Sequence, residues 1–414
     1  MKKLKLISSL VLTLTILSGC TQTTNIQVEN QEITSEVIHL TLWGGSDDQQ
    51  LLAGMVESFK DKYREEATFE VTIAATEEGE AKNKILSDIN QAPDVFSFVD
   101  DQLMELAAAG VIEAVEEESQ IKAENVEGAI EAASINEKIY AYPMTADNGY
   151  FMFYNKKYLS EQDVTTLDKI LSVASSLNKK VTMDWTSGWY LYAFFGNTGL
   201  EMGLNSDGLT NYCDWNSKSN EIKGVDVGNA MLAIAQNPGF MNGGDDQLMT
   251  GAKDGSVIAG VSGVWMANAL QQAWGDDFAA VKLPTYTVAD KQVQLSSYAG
   301  YKMVGVNAYS KEKEWAIKLA QWLTSEENQT LRFINRGLGP SNTIASAKEE
   351  VKKSPAIQAL IEQSQHASLQ RVGAKYWEAA SEFGGSLTEG IASAHNMQQL
   401  MDAMVKQITM KVTD

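Results

Sequence analysis

The sequence predicts an α/β protein made of two bodies, each a sheet covered by helices, and three observations carry that prediction. Strand and helix patterns alternate from Glu36 to Val99, a second alternating series runs from about Gly149 to Gly263, and 414 residues with 44% hydrophobic content are enough for two domains.

The elements follow in order. EVIHLTLW, from Glu36, is apolar and β-branched, as a strand requires. DDQQLLAGMVESFKDKY then places Leu51, Leu52, Met55, Val56, Phe59 and Tyr63 at helical spacing, with Ser46 or Asp47 available to cap the first amides. FEVTIAA predicts a strand, AKNKILSDIN a helix and PDVFSFV another strand, an order that predicts a parallel sheet. The second series reads YFMFYN, TTLDKILSVASSLN, KKVTMDW, a helix from Gly188 to Phe195, a longer one from Asp226 to Gln236, and the strand SVIAGVSG. KEKEWAIKLAQWLTSEEN is an amphipathic helix in which Trp315 and Trp322, seven apart with Leu319 between them, read as packing residues.

The first twenty residues stand apart. MKKLKL is a positive n-region, and the apolar run from Leu4 to Leu17 is too short for a membrane span, so 1–20 reads as a secretion signal. It ends in Leu17, Ser18, Gly19 and Cys20, which resembles a bacterial lipobox with Cys20 as the acylated residue. Residues 21–36, TQTTNIQVENQEITSE, show no periodicity and read as a flexible tether. The two or three acyl chains of a processed lipoprotein give stable anchoring, and Thr21 in place of an aspartate favours the outer face of a single cell membrane. The formal charge is −21, and it becomes more negative when Lys2, Lys3 and Lys5 leave with the signal, which argues against nucleic acid as a partner. Cys213 is the other cysteine, so no internal disulfide is expected and it reads as a small buried residue. His39, His366 and His395 show no metal spacing, and no phosphate loop or nucleophile elbow occurs, so neither a metal nor a cofactor nor catalysis is expected.

In open α/β sheets ligands collect beyond the carboxyl ends of the strands. Those exits are unusual here. Trp43 leads into Gly44, Gly45, Ser46, Asp47 and Asp48; Asp100, Asp101 and Gln102 follow PDVFSFV; Asp184, Trp185, Trp189 and Tyr190 follow KKVTM; and Trp265 follows SVIAGVSG. Flat rings beside carboxylates suit a sugar, whose C–H face lies against an indole while its hydroxyls donate to acids. Trp265, Trp43, Trp189 and Tyr190 are therefore candidate contacts, whereas Trp215 and Trp274 have no evident place.

GVSGVWMANALQQAWGDDFAAVKLPT, the segment from SSYAGYKMVGVNAYS to INRGLGPSN, APDVFSFVDDQLMELAAAGVIEAV and NEKIYAYPMTADNGYFMFYNKKYL together resemble, in order and over nearly the whole mature chain, the maltose-binding and related sugar-binding proteins of bacterial ABC importers. The resemblance implies a type II periplasmic-binding-protein-like clamp with discontinuous lobes: lobe one over 37–146 plus 297–346, lobe two over 149–294 plus 347–414. It implies Trp265 and Trp377 as stacking rings and Asp101 as an acceptor carboxylate, with Asp47 and Asp147 similar to two further acids. Where the maltodextrin-binding branch has basic residues beside those carboxylates, this chain has Asp48 and Gln102.

The expected function is capture of an oligosaccharide, a malto-oligosaccharide or a related one, by a monomeric, lipid-anchored extracellular protein that delivers it to an ABC permease. Ligand touching both lobes would favour the closed form. The alternatives are the same clamp with a polyamine as cargo, a secreted glycoside hydrolase using two facing carboxylates, or a lipid-anchored adhesin without a transporter.

Overall fold

The computed structural model describes residues 37–411; the predicted signal, Cys20 and the predicted tether lie outside the described residues. Ten strands build the two main sheets: β1 (Val37–Gly44), β2 (Thr68–Ala75), β3 (Val95–Val99), β4 (Tyr142–Thr145), β5 (Phe151–Asn155), β6 (Lys180–Met183), β7 (Phe240–Asn242), β8 (Val257–Ser262), β9 (Phe278–Val281) and β10 (Lys302–Val306). The first sheet has the order β2-β1-β3-β10-β4 and the second β7-β6-β8-β5-β9. β10 comes back after the whole second sheet to complete the first, so lobe one is assembled from separated segments of chain.

Neither sheet is all-parallel, which corrects the expectation from the strand-helix alternation. β1 pairs parallel with β2 and β3, but β10 enters antiparallel to β3 and β4. β6 is parallel to β7 and β8, while β5 runs antiparallel to β8 and β9. Both exceptions are strands that begin at a crossing between lobes. A strand arriving from the other lobe need not follow the right-handed helical crossover that keeps βαβ units parallel.

β1 is a strand as predicted, and it alternates, with Ile38, Leu40 and Leu42 inward and Val37, His39 and Thr41 outward. Helix Gln49–Tyr63 buries Leu52, Met55, Val56 and Phe59 beneath it. Neither Ser46 nor Asp47 caps that helix. A single 3-10 turn, Ser46–Asp48, precedes it, and the Ser46 hydroxyl and amide are bonded to Glu77 instead. The predicted long helix around Trp315 is two helices, Lys313–Leu323 and Glu326–Arg336, because Ser325 accepts from the Asn328 amide and starts a new helix. Trp315 and Trp322 are half-buried against the lobe-one core on either side of the fully buried Leu319.

In the second sheet Met152 and Tyr154 of β5 join the core on one face, and Phe151 and Phe153 join the core on the other. Burial on both faces explains why YFMFYN is apolar throughout. Three stretches lie side by side at the junction of the lobes; those around Asn148 and Ser297–Gly300 are crossings, and Ala367–Gln370 has lobe-two helices on both sides of it. Ser297–Ala299 pairs in parallel with Ala367–Leu369, the Asn148 amide donates to Gly300, and the Gln370 amide donates to Ala299. Among the described residues no helix is long and apolar enough to cross a membrane.

Candidate functional site

A cleft of about 510 Å³ lies where these crossings meet the two sheets. Lobe one contributes Lys82, Asp101 and Gln102 to its wall, lobe two contributes Ser187, Trp189 and Trp377, and the stretches at the junction contribute Asn148 and Gln370.

The lobe-two wall is held by the packing of two helices. Short helix Gly188–Leu191 abuts helix Lys375–Thr388: the Gly188 amide donates to Ser381 Oγ at 3.1 Å, and Tyr376 Oη donates to the Gly188 carbonyl at 2.7 Å. These bonds carry Trp189 and Trp377, which follow Gly188 and Tyr376 directly, to the same wall. Trp189 is braced by Tyr150 at 4.9 Å between ring centroids, and Trp377 by Tyr376 at 5.1 Å. Trp265 stacks with Trp189, its ring 5.8 Å away and inclined by only 29°. Its indole N–H donates to Asp245 Oδ2 at 2.7 Å, and Asp245 also accepts from Ser262 Oγ at 2.6 Å. The ring folds back over Gly263 into space that any side chain there would occupy. A tryptophan at that corner is thus a ring fixed by glycine on one side and by a carboxylate at its edge.

On the opposite wall, Asp101 sits at the end of β3 in the turn Asp100–Gln102. Desolvation and then the neighbouring Asp100 push its carboxyl up to about 7, while Lys82 acts the other way. Asp100 itself is 2% exposed and pushed up to about 6, chiefly by burial. One of its oxygens accepts from the Tyr301 amide at 2.9 Å and from Gln370 Nε2 at 3.0 Å, so this residue touches two of the stretches at the junction of the lobes.

The remaining predicted residues are placed elsewhere. Trp43 is half-buried against the lobe-one core, with Lys84 Nζ 4.4 Å above its ring. Asp47 is exposed and paired with Arg336 at 3.1 Å. Tyr190 is 8% exposed and packs behind Trp189. Asp147 is 2% exposed, accepts from the Gly339 amide, and has its carboxyl raised by burial; its neighbour Asn148 lines the cleft instead. Trp185, Trp215 and Trp274 are core residues, Trp215 stacked 4.0 Å from Phe195. Cys213 is half-buried, and burial pushes its thiol up to about 12.

Asp48 and Gln102, which depart from the basic residues of the maltodextrin branch, are both structural. Asp48 accepts from the fully buried Arg332 and from Arg336. Gln102 accepts from the Lys82 amide at 2.9 Å and donates to the carbonyls of Glu78 and Gly79 at 2.8 and 3.0 Å, so its amide is spent on the turn below it. Sequence reasoning missed Lys82, Ser187 and Gln370. Gln370 follows a three-residue strand at the junction that no periodicity marks, and Lys82 and Ser187 are single polar residues at helix starts.

Two lobes joined by chain crossings that enclose a cleft walled by indoles on one side and carboxylates on the other define a ligand-binding clamp. The model of the bacterial extracellular solute-binding protein family matches residues 55–359, and the chain belongs to that family. It is 25% identical over 285 residues to the galactooligosaccharide-binding protein of Bacillus subtilis (strain 168), an alignment covering 66% of either chain. It is 24% identical over 297 residues to the maltotriose-binding protein of Pyrococcus abyssi (strain GE5 / Orsay), covering 69% of this chain and 63% of that one. The match thus spans just under two thirds of the length of these curated relatives. Among solved structures, one with acarbose is 28% identical with a TM-score of 0.82, covering 90% of this chain and 99% of the other. The ligand-free maltodextrin binding protein of L. casei BL23 is 24% identical with a TM-score of 0.77, covering 91% and 100%. These likenesses establish the two-lobed fold with discontinuous lobes.

Proposed function

We propose that the protein captures an oligosaccharide between its lobes, a malto-oligosaccharide or a related one, and presents it to an ABC permease. The observation that carries this reading is the opposition of Trp189 and Trp377 to Asp101 within one cleft. Indole faces supply affinity for the C–H face of a pyranose, and the carboxylate with Asn148 and Gln370 supplies hydroxyl partners that fix its orientation. The names of the relatives, which specify galactooligosaccharide and maltotriose, agree with this class of ligand. In this reading Cys20 carries the lipid, residues 21–36 are the tether, and the protein works as a monomer on the outer face of the membrane. The cleft binds ligand and does not cleave it.

The test is a titration of the mature protein with malto- and galacto-oligosaccharides, followed by tryptophan fluorescence. The expected affinity is micromolar, about 8 kcal/mol. A flat signal and an unchanged melting temperature across a broad glycan panel would remove the sugar reading, because any binder of the folded form raises the melting point. Chromatography of the recovered oligosaccharide should show its length unchanged.

A further inference from the structure

On the Asp101 side a second, smaller space lies next to the cleft and shares that residue with it. It is a crevice of about 60 Å³, walled on the lobe-one side by Met104 and Glu105 and on the other by Leu204, Gly208, Leu209 and Arg371. A space of that size admits a few waters and no pyranose ring. One wall of it is a hairpin, Met202–Leu204 paired with Asn211–Cys213, whose tip reaches across to lobe one: the place a Cβ would take on Gly208 lies 3.2 Å from Met104 Cε.

The hairpin is built to hold that position. At its base Asn211 is 3% exposed; its side chain accepts from the Gly373 amide at 2.7 Å and donates to the carbonyls of Gly373 and Ile408 at 3.3 and 3.1 Å. That fixes the hairpin to the segment leading into the Trp377 helix. At its tip Asp207 accepts from the amides of Leu209 and Thr210, each at 2.9 Å, and Gly208 takes the left-handed φ of +70° that closes the turn. Leu209, 47% exposed at the tip, is a large apolar side chain left beside the crevice.

We propose that this hairpin is an end-stop: it blocks the cleft beyond Asp101, so the protein recognises an oligosaccharide by a chain end and does not let a longer chain run through. The inference rests on the sugar reading above and adds the mode of recognition. A clamp open at both ends accepts a chain anywhere along its length, whereas a stop requires one terminus to fit against Asp101 and Met104.

The test measures affinities of the mature protein for a linear malto-oligosaccharide, the same chain blocked with a bulky aryl group at its reducing end or at its non-reducing end, and a cyclic oligosaccharide of similar size, which has no ends; the galacto-oligosaccharide series replaces the malto series if that binds better. The expected result is a loss of at least tenfold with one of the two blocks and with the cyclic ligand. A variant in which Asn205–Thr210 is replaced by a two-residue Asn-Gly turn should recover the blocked chain to within threefold. The milder Met104→Ala, Leu209→Ala variant should recover part of it, and it serves if the shortened hairpin fails to fold. Equal affinities for the linear, both end-blocked and cyclic ligands would overturn the end-stop while leaving the sugar reading intact. Absence of binding to any saccharide would overturn both.

Discussion

Trp265 donates its indole N–H to Asp245 across 2.7 Å, and this bond, with Ser262 on the other carboxylate oxygen, fixes the ring that stacks with Trp189. Replacing Trp265 by Phe keeps most of the apolar surface but removes the donor. Asp245→Ala keeps the ring and removes its anchor. Both variants should bind the preferred oligosaccharide more weakly by about tenfold, which is about 1.4 kcal/mol, with little change in melting temperature. Calorimetric titration checks this. If Asp245→Ala binds like wild type, the ring needs no such anchor and acts by its area alone.

Asp100 and Asp101 give the protein a pH dependence whose sign is fixed. Both carboxyls lie above their ordinary range, at about 6 and about 7, with burial as the leading cause. Adjacent acids of this kind titrate as a pair. A carboxyl raised in the folded state binds more protons there than in the unfolded chain, so the stability it contributes is complete below about pH 4 and is lost as pH rises through about 7. Against Asp101→Asn, which has no such proton to lose, wild type should therefore gain melting temperature as the buffer goes from pH 8 to pH 5. Thermal unfolding of both proteins across that range is the measurement; parallel curves would contradict it.

Asp48 and Arg332 form an ion pair that is nearly sealed from water, with Arg332 at 1% and Asp48 at 7% side-chain exposure and Arg336 as a second partner of the acid. It ties helix Glu326–Arg336, which follows the returning β10, to the start of helix Gln49–Tyr63, so it joins the two separated segments of lobe one. Asp48→Ala leaves a buried guanidinium without its acid and should cost about 3–5 kcal/mol in denaturant unfolding. Asp47→Ala, one residue away, removes an exposed carboxylate and should leave stability unchanged within error.

How far the site was legible in the sequence follows from the same residues. Element types were legible where a single period dominates, as in the alternation of β1 or the helical stripe ending in Phe59. The antiparallel entries of β5 and β10 were not, because strand direction depends on the path of the chain between lobes and leaves no mark in local periodicity. Likewise, nine tryptophans look alike in the sequence. Only the fold separates Trp189 and Trp377, which line the cleft, from Trp185 and Trp215, which are entirely enclosed. Acids divide the same way: Asp101 lines the cleft, whereas Asp48 is consumed by arginines about 280 positions later, a partnership that spacing cannot reveal.

Trp377 and Trp43 provide the sharpest contrast between a ring at the cleft and a ring elsewhere. Trp377 keeps part of its surface open to the cleft wall and is braced from behind by Tyr376 and Tyr298. Trp43 spends one face on the lobe-one core and has the Lys84 ammonium above its ring. Because stacking on a sugar requires a free face, Trp377→Ala should lower oligosaccharide affinity by tenfold or more, at the upper end of the roughly 0.5–1.5 kcal/mol usual for an aromatic contact. Trp43→Ala should leave affinity within about twofold and act instead on unfolding, since it removes a large side chain from the edge of a core. Fluorescence titration and denaturant unfolding of the two variants separate the cases. A Trp43→Ala protein that folds normally but no longer binds would mean that ligand reaches the end of β1, and the cleft would then extend further into lobe one than its present walls.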